Sequence, residues 1–448
     1  MYDLAIVGCG AAGLFACSLL SNIKKDMKVI VLEKRNTIAQ KLSISGNNQC
    51  NYTNYNEYKN KHPKEFVEEF SNHYGGKKNF VKSVLGNLTN LDLIQYFKKI
   101  GIESFIREDG KVFPRSLNSQ EIINTILKQR TNNIEIINNI AISSITYTES
   151  FIILKSKQKT IQTKYLMLAT GGKSYPVTGS EGDISILLKP LLIKINEFKS
   201  ALSTPNISNY EYSALSGISL PNCGISLWKK DFDKAKFKIK KNLNNLLPIL
   251  DFNNFTAYKP IYINTGSLLF THKTLSGPLI LDNSRYFDTR DLILIHLTNF
   301  NSIEDFSRYL EDLVYKHPKR LVKNIFNNLD IPERLTKCIM NSLPKEIQES
   351  KISDLSNEKK KILLYKFYCL IFIISSPGSL NSAMVSSGGI DTEEINKTKL
   401  CLKKYPKIYV AGECIDVDGD TGGYNIHFAF ACAKTIIKDL ENNILTNN

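Results

Sequence analysis

A short apolar segment at the start of the chain runs directly into three closely spaced glycines, and this arrangement constrains the fold more than any other feature. Residues 2–7 are rich in strand-forming side chains, and a Gly-x-Gly-x-x-Gly motif follows at residues 8–13. After a helix-like stretch, a second apolar run ends at Glu33, 20 residues beyond Gly13. This order of strand, glycine turn, helix and acid-tipped strand predicts the first βαβ unit of a dinucleotide-binding domain.

Each glycine of the motif has its own physical task in such a turn. Gly8 permits the tight turn, Gly10 lets the backbone approach a pyrophosphate, and Gly13 lets helix and strand pack closely. The helix N-terminus stabilises the phosphate charge, and Glu33 can accept hydrogen bonds from a ribose. A purely structural turn is the alternative. The candidate nucleotide-binding residues are Gly8, Gly10, Ala12, Gly13, Glu33 and Lys34.

Two later strand-like segments also end in glycine-containing turns. Residues 164–169 run into a Thr-Gly-Gly turn and residues 407–410 into Ala-Gly-Glu, which is typical of strand ends that open onto a ligand. A glycine-rich segment at 416–425 then precedes a second helix. Its alternating aspartates resemble a calcium loop, but the twelfth position is His427 rather than glutamate, which argues against a calcium site. The candidate binding residues of the first turn are Ala169, Thr170 and Gly171.

The pattern of the middle of the chain differs from that of its ends. Between about residues 188 and 300, short alternating segments predict an antiparallel, barrel-like unit. Residues 301–375 have a helical period and predict a small helical insert. We therefore expect an α/β fold in which residues 1–187 and 376–448 form one Rossmann-like nucleotide-binding domain, interrupted by these two inserts.

Composition excludes several classes of protein. With 42% hydrophobic and 23% charged residues, the chain is neither disordered, collagen-like nor stapled by disulfides. The apolar run at 362–374 is interrupted by Lys366 and is too short to span a membrane. Strand-like residues begin at Tyr2, which leaves no room for a signal peptide, so we expect a cytoplasmic protein. Nine cysteines without CxxC spacing predict reduced thiols and no zinc site.

The formal net charge of +15 favours polyanionic partners, although the coding bias of an AT-rich genome could supply much of the lysine excess. Lysines cluster in the predicted β insert, where few acidic residues lie between them. The cluster is either a solvated face or a surface that contacts RNA. Its members are Lys229, Lys230, Lys234, Lys236, Lys238, Lys240 and Lys241.

Several motifs occur together in the order found in one bacterial family. Three of them are Gly-Cys-Gly-Ala-Ala-Gly at 8–13, Leu-Ser-Ile-Ser-Gly at 42–46 with Cys-Asn-Tyr-Thr-Asn at 50–54, and Gly-Lys-Val-Phe-Pro at 110–114. The others are the segments 169–179, 270–278 and 411–425. This set resembles the BaiN/RdsA-like NAD(P)/FAD-dependent oxidoreductases over nearly the whole chain. The resemblance implies bound FAD, with NAD(P)H as a transient hydride donor.

The resemblance also implies where the parts of FAD would lie. The ADP half would contact the first glycine motif, and the N1/C2=O edge of the flavin would meet backbone N–H groups at 422–425. The residues implied beyond the first motif are Ser45, Gly46, Cys50 and Asn51 near the flavin, Gly412 and Glu413 near the ribityl chain and pyrophosphate, and Gly422, Gly423, Tyr424 and Asn425. The chain departs from the family at 47–49, where Asn-Asn-Gln replaces the usual Gly-Gly-Arg, and at His427, where glutamine is usual.

Two residues, Cys50 and His272, are candidates for proton transfer, and His427 is a further residue that could act near the flavin. Cys50 would lie near the flavin, but it could equally be a small buried residue under the ring. His272 follows a predicted β segment and is either functional or structural. His427 lies in the first turn of the last helix, where the helix dipole disfavours a cation, so a neutral imidazole is expected.

The predicted function is reduction of a carbonyl-activated C=C bond by an FAD-dependent enzyme. The family includes enzymes that act on steroid-like enones and on uridine of 23S ribosomal RNA, and the positive charge favours the RNA. A small-molecule enone reductase or amine oxidase is one alternative. A non-catalytic RNA-binding flavoprotein is another.

Overall fold

The computed structural model describes residues 1–22, 27–55, 62–229, 262–297, 303–326 and 329–445. The chain divides into two compact units. The first unit comprises Met1–Ser203 and Ser379–Asn448, and the second unit comprises Thr204–Gly378. No helix in the described residues is long and apolar enough to cross a membrane.

The regular elements of the described residues are numbered in chain order. The strands are β1 (Tyr2–Val7), β2 (Val29–Leu32), β3 (Thr53–Asn54), β4 (Ser104–Ile106), β5 (Lys111–Pro114), β6 (Ile134–Ile137), β7 (Ile142–Tyr147), β8 (Ile152–Ser156), β9 (Thr160–Leu168), β10 (Ile195–Ala201), β11 (Asn206–Ile207), β12 (Ser219–Trp228), β13 (Tyr262–Phe270), β14 (Leu275–Ser276), β15 (Leu292–His296), β16 (Cys369–Ser376), β17 (Val385–Ile390) and β18 (Ile408–Val410). The helices are α1 (Ala11–Leu20), α2 (Gln40–Ile44), α3 (Pro63–Phe70), α4 (Lys78–Leu85), α5 (Asn90–Lys99), α6 (Ser119–Lys128), α7 (Ile184–Leu187), α8 (Pro278–Asn283), α9 (Ile303–Lys316), α10 (Glu333–Asn341), α11 (Lys345–Gln348), α12 (Asn357–Tyr368) and α13 (Tyr424–Leu445).

The first unit is built on a mixed sheet with a parallel centre. Strands β6, β2, β1 and β9 lie side by side and parallel, and β18 runs parallel to β9. The long strand β9 has two partners along its other edge, since residues 160–163 pair with β8 and residues 166–168 with β18. Five parallel strands, β6, β2, β1, β9 and β18, therefore end at the same edge of the sheet.

Burial on both faces explains the sequences of the central strands. All four residues of β2 are buried, as is expected of a parallel strand covered by helices on both faces. Helix α1 is buried over most of its circumference and packs against α13, where Phe15 and Phe430 have ring centroids 4.6 Å apart. The core of the first unit thus joins the two ends of the chain, and the predicted α/β Rossmann-like fold is confirmed.

Residues 188–203, which the sequence analysis assigned to the β insert, lie in the first unit. The reason is strand pairing: β10 is antiparallel to β17, with Ile195 opposite Ile390 and Ala201 opposite Val385. Alternating hydrophobicity predicted a strand here but could not indicate which distant strand would be its partner.

The second unit contains an antiparallel sheet and a group of helices. The strand order is β11, β16, β15, β12, β13 and β14. Helices α9, α10 and α12 share one hydrophobic core with this sheet, in which Phe306 and Phe367 are fully buried. Most of the lysine cluster, residues 230–241, lies outside the described residues.

Candidate functional site

The carboxyl ends of β1, β2, β9 and β18 open onto a large cavity in the first unit. Its volume is about 1050 Å³. The residues directly after β1, β2, β9 and β18 all line it, which is the position where open α/β sheets bind their ligands. The predicted binding residues that line the cavity are Gly8, Gly10, Ala12, Glu33, Lys34, Ser45, Gly46, Asn51, Ala169, Thr170, Gly171, Gly412, Glu413, Gly422, Gly423 and Asn425.

The three glycines of the first motif have different surroundings. A Cβ on Gly8 would lie 2.3 Å from the carbonyl oxygen of Ala169, and a Cβ on Gly13 would lie 2.1 Å from that of Gly8. A Cβ on Gly10 would meet nothing within 4 Å. Gly8 and Gly13 are therefore required for packing of the backbone, whereas Gly10 leaves open space at the cavity wall.

The start of α1 is suited to an anion. Gly10 caps this helix without a side-chain hydrogen bond, and the first turn contains no acidic residue. The first N–H groups of a helix need partners from outside it, and a phosphate can provide them. Nothing in the first turn of α1 competes with such a ligand.

Glu33 lies at the end of β2 with both carboxylate oxygens engaged by the backbone. Oε2 accepts a hydrogen bond from the Cys9 amide (3.0 Å) and Oε1 from the Arg35 amide (2.9 Å). A carboxylate offers about four acceptor positions, so these bonds fix its orientation and leave room for further donors such as ribose hydroxyls.

The second glycine turn precedes α13 and is held rigidly. Gly422 and Gly423 have φ angles of +124° and +100°, and a Cβ on Gly423 would lie 2.7 Å from the Thr53 backbone. The Asn425 carboxamide accepts from the Gly419 amide and donates to its carbonyl, both at 2.8 Å. The side chain of Asn425 therefore stabilises the turn.

Tyr424 is buried and lies outside the cavity lining. Its hydroxyl is 3.0 Å from Nε2 of His73, whose Nδ1 is 3.0 Å from Oδ2 of Asp420 at the cavity wall. The Asp420 amide also donates to the His73 carbonyl (2.9 Å). His73, which the sequence analysis did not select, thus anchors the turn from outside the motif.

Glu413 forms an ion pair with a residue that the sequence analysis also missed. Lys41, on α2, donates to Oε2 (2.6 Å), while Oε1 accepts from Ser174 Oγ (2.8 Å) and from the Ser386 amide and hydroxyl (2.8 and 2.9 Å). Burial alone would raise the pKa of Glu413, but Lys41 and these hydrogen bonds lower it overall. Lys41 directly precedes the 42–46 motif, which is the signal that could have drawn attention to it.

The structure does not favour Cys50 as a proton donor. The side chain is 0% exposed and lies outside the cavity lining. Burial raises the pKa of the thiol to about 12, against a smaller lowering effect of a hydrogen bond with Ser45. Cys50 is therefore a small buried residue, and its place under the flavin ring stays a prediction.

The two candidate histidines lie in different units. His272 is exposed in the second unit, after β13. His427 is fully buried in the first unit, where Thr53 Oγ1 lies 2.8 Å from Nδ1 and Nε2 lies 2.9 Å from the Leu88 carbonyl. Because a carbonyl only accepts, Nε2 carries the proton. Burial lowers the pKa of His427 to about 4, so the imidazole is neutral, as expected.

Comparison with known proteins identifies the family. A family model described as the HI0933-like protein Rossmann domain matches residues 2–438. The chain belongs to the HI0933-like family. This confirms the resemblance drawn from the motifs, and the protein is an FAD-dependent oxidoreductase.

The curated relatives match the chain over nearly its whole length. Two are named ribosomal RNA dihydrouridine synthase: the Escherichia coli protein is 24% identical over 98% of both chains, and the Haemophilus influenzae protein is 26% identical over 96% of this chain and 97% of its own. The 3-dehydro-bile acid delta(4,6)-reductase of Clostridium scindens is 20% identical over 96% and 97%. In fold, the chain resembles 3-ketosteroid delta1-dehydrogenase from Sterolibacterium denitrificans, with a TM-score of 0.50, 11% identity and 99% of each chain covered.

The residues of the cavity fit FAD. The open space beside Gly10, the uncapped start of α1 and the oriented carboxylate of Glu33 suit the ADP half. The cavity volume of about 1050 Å³ lies at the upper end of the range for small-molecule sites. Gly13 would contribute by packing, because it lies behind the cavity wall.

We predict that valine has different effects at two glycines of the same motif: it weakens FAD binding at Gly10 and impairs folding at Gly13. Gly10→Val should fold but bind FAD about 100-fold more weakly, because the side chain excludes the phosphate from its N–H donors. Gly13→Val should impair folding itself, because its Cβ would clash with Gly8. Absorbance of bound flavin and thermal unfolding of the FAD-free protein measure the two effects. Full FAD occupancy in Gly10→Val would contradict the phosphate assignment.

We predict that Lys41→Met destabilises the protein by about 2 kcal/mol, because it leaves the Glu413 carboxylate without its counter-ion. Adding Glu413→Gln should restore part of this loss. Since the folded-state pKa of Glu413 is lowered, its contribution should be present above about pH 4.5 and lost at lower pH. Urea unfolding of the two single variants and the double variant measures the coupling, and simple additivity would contradict it.

We predict that His427→Gln removes an acid-sensitive part of the stability. The pKa of His427 is about 4 in the folded protein and about 6.5 when unfolded. The unfolded state therefore binds the additional proton, and the stability is lost as the pH falls from 6.5 to 4, by roughly 3 kcal/mol. Glutamine can donate to Leu88 and accept from Thr53 without titrating. The unfolding free energy of the wild type minus that of the variant, measured across this pH range, should fall by that amount.

Proposed function

We propose that the protein reduces the C5=C6 bond of uridine in 23S ribosomal RNA to dihydrouridine, with NAD(P)H as the electron source. The observation that carries this proposal is the end-to-end match to two relatives named for that reaction on ribosomal RNA. The net charge of +15 supports it, because a basic surface favours a polyanionic substrate.

When bound, FAD supplies transfer of a hydride from NAD(P)H to an electron-poor C=C bond. The chain contributes the surroundings of that chemistry. The start of α1 and Glu33 would hold the ADP half of FAD, and the start of α13 would place N–H groups and the positive end of its dipole near developing negative charge. The ion pair of Lys41 and Glu413 would keep the turn after β18 in position.

The chain contains no second Gly-x-Gly-x-x-Gly motif. NAD(P)H would therefore bind without a dinucleotide domain of its own and use the same cavity as the substrate. The two would enter in turn, which gives ping-pong kinetics. A uridine within RNA would have to leave its stack to reach the cavity.

Lys229, the first member of the lysine cluster, is already engaged in ion pairs. Lys229 donates hydrogen bonds to Asp288 and Asp291, both at 2.9 Å, and Asp291 is fully buried. Since two carboxylates already neutralise this ammonium group, we remove Lys229 from the RNA-contacting set. Lys230, Lys234, Lys236, Lys238, Lys240 and Lys241 remain in the proposal.

Of the two predicted proton donors, only His272 is retained in the proposal. The buried thiol of Cys50, with its pKa of about 12, is a poor donor and has no surface in the cavity. His272 is exposed in the second unit and stays a prediction.

Reduction of a small apolar enone is the second candidate function. It is favoured by apolar side chains at the cavity wall that remain accessible, notably Ile186 (71% exposed) and Met384 (53% exposed). One of the relatives is also named as a reductase of 3-dehydro-bile acids, which are small, largely apolar molecules. An amine oxidase and a non-catalytic RNA-binding protein have no comparable support.

We predict that 23S ribosomal RNA from a deletion strain lacks dihydrouridine and that the wild-type gene restores it. A gene carrying Lys234→Glu, Lys236→Glu, Lys238→Glu and Lys240→Glu should restore little, since each lost phosphate contact lowers RNA affinity and flattens its salt dependence. The purified variant should keep its FAD. Mass spectrometry of the RNA provides the measurement. Unchanged dihydrouridine in the deletion strain would exclude the RNA proposal and leave the enone reductase.

A further inference from the structure

The loop between α2 and β3 has an unusual backbone. Gly46, Asn47 and Asn48 have consecutive φ angles of +57°, +58° and +64°, and Cys50 has +58°. L residues rarely adopt this left-handed conformation. Glycine does so freely, and asparagine tolerates it better than most other residues. Asn47 and Asn48 thus adopt a conformation that favours glycine, and unlike the glycines usual at these positions in the family they carry side chains.

These two side chains lie at the cavity. Asn47 and Asn48 both line it and are both exposed. The backbone beneath them is fixed, because the Cys50 amide donates to the Ser45 carbonyl (2.9 Å) and the Ser119 amide donates to the Asn48 carbonyl (2.8 Å). The carboxamides are thus presented from an ordered turn.

Their hydrogen-bonding capacity is unused. Neither the Asn47 nor the Asn48 carboxamide has a hydrogen-bond partner among the described residues. The neighbouring Asn51 differs, because its Oδ1 accepts from the Val112 amide (3.2 Å) and so serves the fold. Each free carboxamide offers one acceptor oxygen and two N–H donors.

We propose that Asn47 and Asn48 determine substrate specificity by binding the imide edge of a uracil ring. That edge presents a carbonyl, an N–H and a second carbonyl in a row. A carboxamide can donate to one carbonyl and accept from the N–H at the same time, as asparagine forms two hydrogen bonds with a base edge. Unstacked RNA bases are commonly recognised by such hydrogen bonds. A steroid-like enone has only a carbonyl, and it would leave the carboxamide acceptors unpaired.

The uncharged side chain at position 49 agrees with a neutral ligand. Gln49 stands where the family usually has arginine, whose guanidinium suits carboxylates and phosphates. The loop therefore offers amide groups in place of a cation. This inference rests on the proposed function for the identity of the substrate, but recognition of the imide can be tested separately from turnover.

The test uses the FAD-loaded enzyme with Asn47→Gly, Asn48→Gly and both changes together. Glycine keeps the left-handed backbone and removes only the carboxamide. Asn139→Gly is the matched control, since Asn139 is exposed, has φ of +60° and lies outside the cavity lining. FAD content and thermal unfolding should be unchanged in all four variants.

Two measurements separate this inference from the proposed function. KM for unmodified 23S ribosomal RNA should rise about 5-fold in each single variant and about 30-fold in the double variant, with Asn139→Gly unchanged. Wild-type enzyme should also bind uridine 5′-monophosphate at least about 5-fold more tightly than its N3-methyl derivative, which lacks the N–H. The double variant should lose this preference.

Each result has one interpretation. If dihydrouridine forms and KM is unchanged in the double variant, the proposed function holds and the role of the two asparagines is wrong. If no dihydrouridine forms but the preference for the unmethylated nucleotide is present and lost in the double variant, the proposed function fails and imide recognition holds. Wild-type enzyme that does not distinguish the two nucleotides would overturn the inference.

Discussion

Parallel pairing of β1 with β9 is the interaction on which the site depends. It joins residues near the start of the chain to residues about 160 positions later, with Val7 opposite Leu168, and β18 then extends the same edge. The close approach of Gly8 to Ala169 is possible only without a side chain on Gly8. The pairing of β1 with β9 and of β9 with β18 therefore places the glycine turn, the turn after β9 and the turn after β18 around a single cavity.

Polar groups that are half-buried or buried then fix the turns against one another. Lys41 and Glu413 are 372 positions apart, and their ion pair connects α2 with the turn after β18. His73 and Asp420, which are 347 positions apart, connect the segment after α3 with the second glycine turn. His427 is held neutral between Thr53 and Leu88. Because polar groups withdrawn from water need partners, each of these contacts favours one arrangement of its turn.

The loop at 46–50 combines an unusual backbone with side chains that the family usually lacks there. Asparagine at 47 and 48 retains a left-handed turn that glycine would adopt more easily. The carboxamides of Asn47 and Asn48 are hydrogen-bonding groups at the cavity wall.

The sequence by itself determined the dinucleotide-binding turn, because Gly8, Gly10, Gly13 and Glu33 act through local backbone geometry that contiguous residues specify. Its motifs also determined the family. Only the tertiary structure decided that Cys50 is buried, that residues 188–203 pair with β17, that Lys229 is neutralised by Asp288 and Asp291, and that Lys41 and His73 support the site. These outcomes depend on which distant segments meet, and neither local propensity nor residue spacing contains that information.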